Sequence, residues 1–122
     1  MVSEMLRTKL DAICVKLPGA EKSDPWGGGH DAWKIGDKMF ACIGAVDSGV
    51  SVKCVDVETA QMLIDAQIGR RARYFHTSWV NLPDDVADEE LFHRVTGSYD
   101  LVRSKLPKKF RDTLPERQEG EA

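Results

Sequence analysis

This 122-residue sequence predicts an α+β fold, an antiparallel sheet of about five strands packed against N- and C-terminal helices. Three observations predict it. Apolar residues recur at helical spacing near both ends, two short runs meet at Gly36-Asp37, and Val50, Val52 and Cys54 alternate with Ser51 and Lys53.

Leu6, Leu10, Ile13, Cys14 and Leu17 form one stripe of a 3.6-residue period, which predicts a first helix from Ser3 to Lys16. Ser3 is its N-cap, and Pro18-Gly19 stops it because proline disfavours the helical conformation of its predecessor. A polar approach, Ala20 to Asp24, leads through Pro25-Trp26-Gly27-Gly28-Gly29-His30 to a hairpin, Ala32–Ile35 against Lys38–Ile43. Glycine at the first position of the two-residue loop predicts a type II′ turn. A loop around Asp47-Ser48-Gly49 precedes the third strand, whose period of two marks one buried face.

Asp56 caps a second helix, Val57 to Gln67, with Val57, Ala60, Leu63 and Ile64 inward and Gly69 at its C-terminal end. Arg70–His76 and Ser78–Leu82 read as two more short strands of the same sheet. Leu91, Val95, Ser98, Tyr99, Val102 and Leu106 mark the last helix, Asp88 to Lys105, with acids at its start and Arg103 and Lys105 at its end to match the macrodipole. One domain thus covers residues 1–109. Residues 110–122 are polar and aperiodic, and read as a flexible tail.

Apolar residues at 42% and charged residues at 30% are ordinary globular usage, excluding a fibrous or wholly disordered chain. No apolar run approaches a membrane span, and Glu4, Arg7, Lys9, Asp11 and Lys16 interrupt any signal-peptide core, so a cytoplasmic protein with no membrane partner is expected. Cys14, Cys42 and Cys54 lack a paired spacing and read as reduced core residues. The formal net charge of −3 offers no global attraction for a polyanion, so any nucleic-acid contact must be local.

Catalytic and metal motifs are weak. His30, His76 and His93 are not spaced as metal ligands, and Asp24, His30 and Asp31 lack a third strong donor, so neither metal nor cofactor is expected. Gly27-Gly28-Gly29 lacks the Walker pattern, and Ser78 with His76 lacks a nucleophile elbow, which points away from an enzyme. The basic residues carry the better hypothesis. In an extended strand Arg71, Arg73 and Phe75 share a face, and Lys34, Lys38 and Lys53 lie in or beside strands of the same sheet. These cations suit phosphates, with Trp26 or Phe75 stacking, so a monomer that binds DNA with low sequence preference is expected. A competing reading is a small-molecule or protein-binding module with an apolar pocket near Trp26, His30 and Trp79.

Several segments resemble one family in combination. They are Leu17-Pro18-Gly19-Ala20, Trp26-Gly27 with His30, Trp33-Lys34-Ile35-Gly36-Asp37-Lys38-Met39-Phe40-Ala41, Val52-Lys53-Cys54, the stretch from Tyr74 to Val80, Ser98-Tyr99-Asp100-Leu101-Val102 and Lys105-Leu106-Pro107-Lys108-Lys109. The chain is similar in them to the MmcQ/YjbR family, small bacterial proteins with a frataxin (CyaY)-like fold. That resemblance implies terminal helices on an antiparallel sheet, strands presented as a double wing, and DNA binding inferred from that shape. It does not imply iron, because Arg7, Lys9 and Lys16 break up any acidic ridge on the first helix.

Overall fold

The computed structural model describes residues 4–24, 29–44 and 48–117. Its elements run α1 (Glu4–Cys14), β1 (Glu21–Ser23), β2 (Asp31–Ile35), β3 (Lys38–Ile43), β4 (Val50–Lys53), α2 (Val57–Asp65), β5 (Arg70–Arg71), β6 (Trp79–Leu82), α3 (Asp88–Ser104) and α4 (Lys108–Arg111). The strands form one antiparallel sheet of order β1-β2-β3-β4-β6-β5. The fold class is therefore the α+β arrangement expected, with Glu21–Ser23 added as a polar edge strand. Among the described residues no helix is long and apolar enough to cross a membrane.

Directly opposed residues of an antiparallel ladder share a face. One row runs Lys22, Trp33, Ala41, Val52, Val80, Arg71. Its middle members join Ile35, Ile43, Val50 and Leu82 in the core, together with Leu6, Leu10 and Ile13 of α1, Ala60 and Leu63 of α2, and Leu91, Val95, Tyr99 and Val102 of α3. All three long helices thus pack on one face, α3 over β2–β4 with α1 beside it and α2 over β6 and β5. Ion pairs at the margin, Arg7 to Asp31 at 2.8 Å and Lys9 to Asp88 at 2.7 Å, tie α1 to β2 and α3.

The hairpin at Gly36-Asp37 forms as expected, but its turn is type I′ rather than II′, because both Gly36 (φ 56°) and Asp37 (φ 66°) are left-handed. Asp tolerates that region, and the I′ turn matches the twist of the flanking strands. Trp33 pairs with Ala41 and Lys34 with Met39, so Phe40 is an extra residue bulged out of register. It is fully buried against Tyr99, edge to face at 5.4 Å.

The bulge leaves a gap in the β3–β4 ladder, and α3 fills it. The Ser98 hydroxyl donates to the Phe40 carbonyl (2.6 Å) and accepts from the Lys53 N–H (2.9 Å). One side chain replaces a missing rung, satisfying two backbone groups that would otherwise be buried without partners.

α2 begins as predicted, with the Asp56 carboxylate accepting from Thr59 N–H. Its end differs: Gln67 (φ 62°), not Gly69, is the left-handed residue, and Ile68 N–H bonds Leu63 O while Gln67 N–H bonds Ile64 O. Gly69 serves instead for close approach, since a Cβ there would lie 2.4 Å from Val80 Cγ2.

The segment from residue 110, expected to be a flexible tail, is packed as far as Arg117. Leu114 meets the core, Arg103 donates to Pro115 O at 2.8 Å, and Arg117 grips the Asp100 carboxylate at 2.9 and 2.7 Å. The expected Ser3 cap, Asp47 and the last residues of the tail lie outside the described residues.

Candidate nucleic-acid interface

The second face of the sheet carries no helix among the described residues. Its register rows are Ser23, Ala32, Cys42, Ser51, Asn81, Arg70 and, beside it, two separate pairings, Glu21, Lys34, Met39 and Lys53, Trp79. The first row is a floor of small side chains, with Ala32, Cys42 and Ser51 buried between longer neighbours. The second is interrupted where Ser98 enters the β3–β4 ladder, with Lys34 on one side of the break and Lys53 on the other. Two of the lysines expected to meet phosphate therefore share one side of the sheet.

Lys38 does not join them. It pairs with Ile35 at the hairpin tip, on the opposite alternation of the ladder. Lys34 faces Glu21 across β1 and β2, which weakens the positive field at that end.

The expected strand Arg70–His76 is the main correction. Strand pairing stops at Arg71, and Ala72–Phe75 form a turn closed by Phe75 N–H to Ala72 O, with Tyr74 at φ 72°. A positive φ at the third turn position is the type II geometry that normally calls for glycine or asparagine. Arg71 explains why the chain leaves the sheet. Its guanidinium reaches back to Ala72 O (2.6 Å) and Phe75 O (2.9 Å), so it braces the loop rather than standing beside the lysines.

Arg73 and Phe75 consequently do not alternate with Arg71 along a strand. Arg73 lies at the turn with its guanidinium carbon 5.3 Å from the Tyr74 ring centroid and its Nη2 donating to Tyr74 Oη at 3.1 Å. Phe75 stacks on Trp79 at 4.5 Å and 21°. Trp79 is the cross-strand partner of Lys53, so an arc from Lys53 to the exposed Tyr74 and Arg73 runs through the buried Trp79 and the half-buried Phe75 stacked on it. Tyr74, which the period-two reading separated from Phe75, is the most prominent member at 87% exposure.

Arg70 was not singled out by sequence, yet it ends the floor of the open face. Its side chain is fixed by Asn81 Oδ1 at 2.8 Å and by Ser48 O and Oγ at 3.1 and 3.0 Å. Asn81, a polar residue inside an apolar strand, was the available signal; it also donates to Ser51 Oγ at 3.2 Å.

Trp26 lies outside the described residues. The pocket expected near Trp26, His30 and Trp79 does not form from the other two. His30 precedes β2, whereas Trp79 lies in β6, three strands across, a separation of about 14 Å from the strand spacing alone. His30 sits instead against Asp24, which also accepts from Gly29 and His30 N–H; the Gly29 bond is the largest influence holding its carboxyl below the usual range. Asp31 turns to Arg7, so the three do not converge as ligands. A cleft of about 410 Å³ lies on the other side of the molecule, among Ile13, Leu17, Pro18, Phe92, Thr96 and Pro115 together with the charged Lys16, Glu116 and Arg117.

Reactive chemistry is sparse. Burial pushes the Cys42 thiol up to about 11 and raises Cys14 and Cys54 as well, so none is a thiolate at neutral pH. His76 Nδ1 lies 2.9 Å from Ser78 Oγ, but it also accepts from Ser78 N–H at 3.1 Å, a local brace for the turn into β6. No group of three or more His, Cys, Asp or Glu among the described residues could hold a metal ion.

Comparison with known proteins places the chain among relatives of the same size. The YjbR family model matches residues 15–101. The YjbR protein of Escherichia coli (strain K12) is 29% identical over 124 residues, spanning 93% of this chain and 96% of its own, and that of Escherichia coli O157:H7 aligns with the same figures. The crystal structure of Deinococcus radiodurans protein DR2400, a DUF419 domain, superposes with a TM-score of 0.80 at 28% identity, covering 93% of this chain and 91% of that one.

Proposed function

From the premise that the chain belongs to the YjbR family, we propose that it is a cytoplasmic, non-enzymatic DNA-binding protein. Its contact surface is the helix-free face of the sheet and the loop at its β5 end. Lys53, Arg73 and Lys34 meet phosphates, Tyr74 and Phe75 supply aromatic surface, and sequence preference is low because phosphate contacts carry no base information. Arg71, Lys38 and Arg70 serve outside this contact set.

The observation that carries the reading is the exposed Arg73–Tyr74 pair at the end of the arc that starts at Lys53 and passes Trp79 and Phe75. It supplies a local cationic and aromatic surface on a chain whose net charge is −3, with Glu21 the one carboxylate among the described residues of those two rows. Fluorescence anisotropy with labelled DNA across a salt series tests it. Three neutralised phosphates predict a duplex affinity that falls with a log–log slope of about −2.7 against salt. Lys53→Gln with Arg73→Gln is expected to reduce the slope by about two of these contacts. Absence of binding at low salt, or binding indifferent to salt, overturns the proposal.

A further inference from the structure

Resting on that reading, we infer that the loop selects single-stranded over duplex DNA, with Tyr74 as the platform for one unpaired base. A large aromatic residue sits at φ 72° where a turn prefers glycine, yet 87% of it is exposed, so its ring gains nothing from the core.

The surroundings hold the loop that carries that ring in place. Arg71 locks the carbonyls of Ala72 and Phe75, the Phe75 N–H closes the turn onto Ala72 O, and Phe75 is anchored by stacking on Trp79. The Arg73 guanidinium lies over the Tyr74 ring and donates to its hydroxyl, which restricts the side chain and puts positive charge beside the aromatic face. A stacking surface fixed before binding loses little side-chain freedom when a ligand arrives.

Duplex DNA keeps its bases stacked on one another and shows this ring only phosphate and sugar. A single strand offers both a base face and a neighbouring phosphate, and the arc presents a partner for each: Tyr74 for the base, Arg73 and Lys53 for the backbone. Stacking is tolerant of base identity, which agrees with low sequence preference.

The test compares a labelled thymidine oligonucleotide of about 15 residues with a duplex of equal length, using the full chain at low salt. The single strand is expected to bind about tenfold tighter, and Tyr74→Ala to remove that preference, bringing the single strand to within about twofold of the duplex. Tyr74→Phe keeps the preference. Tyr74→Asn, which accepts the left-handed conformation without strain, loses it with the fold intact by circular dichroism. Equal binding of both DNAs with no effect of Tyr74→Asn overturns this inference while leaving the phosphate-binding surface standing. No binding of either DNA overturns both.

Discussion

The hairpin tip at Gly36-Asp37 and the β5–β6 loop at Arg73-Tyr74 both carry the chain through the left-handed region, but with opposite chemistry. At the hairpin, Gly36 and Asp37 are residue types that accept positive φ, and Gly36 is pressed against Leu106 and Phe110, with 3.1 Å and 3.2 Å available to a Cβ. Sequence, turn and packing agree there. At the loop, a tyrosine occupies the left-handed position and faces solvent. Turns whose residues suit them contribute to stability, whereas a turn that holds the wrong residue in an unfavourable conformation points to a use outside folding.

Breaking the hairpin gives the largest effect. Gly36→Val adds a branched side chain at positive φ against Leu106 and Phe110, and chemical denaturation is expected to show a loss of about 3 kcal/mol. A loss under about 0.5 kcal/mol would mean that the tip is not the stabilising turn of the pair. Arg71→Ala comes next. Releasing the carbonyls of Ala72 and Phe75 is expected to cost about 1 kcal/mol and to weaken single-strand binding, although Arg71 contacts no DNA in the proposed complex.

The third test uses Gln67, another side-chain-bearing residue at positive φ, as the control for Tyr74. Gln67→Gly and Tyr74→Gly should each raise the unfolding free energy by about 0.5 kcal/mol, the strain relief exceeding the entropy that glycine adds to the unfolded chain. Only the second is expected to reduce DNA affinity. The smallest effect lies at the other end of α2. Thr59, first through its side chain and then through its backbone N–H, holds the Asp56 carboxyl below the usual carboxylate range. The stabilisation from this depressed value is complete above the unfolded-state value of about 4 and disappears as pH falls through the lower folded value. Thermal melts should therefore decline on acidification through that window, and Asp56→Asn, which keeps a capping oxygen, should make the decline shallower.

Most of the fold was readable because its periods are regular. The stripe of α1 through Ile13 and Cys14, the Lys38–Ile43 strand, the start of α2 and the length of α3 follow from spacing alone. The site was harder because period two fails where a strand ends early. Arg71 and Arg73 look like neighbours on one face, but the Arg71 guanidinium turns back into the loop and cancels the alternation. Glu21–Ser23 is illegible in the sequence for a different reason: a polar three-residue edge gains its structure from pairing with Trp33 and its neighbours, and carries no pattern of its own. The Ser98 hydroxyl was equally silent, since nothing in a helix stripe reveals a distant bulge.

That hydroxyl has one consequence for how the molecule opens. It reaches 58 positions back to Phe40 and 45 back to Lys53, so the long final helix cannot lift away without uncovering the amide of residue 53. Deuterium uptake at this single amide therefore gauges the attachment of the helix, and distinguishes its release from fraying at either rim of the sheet.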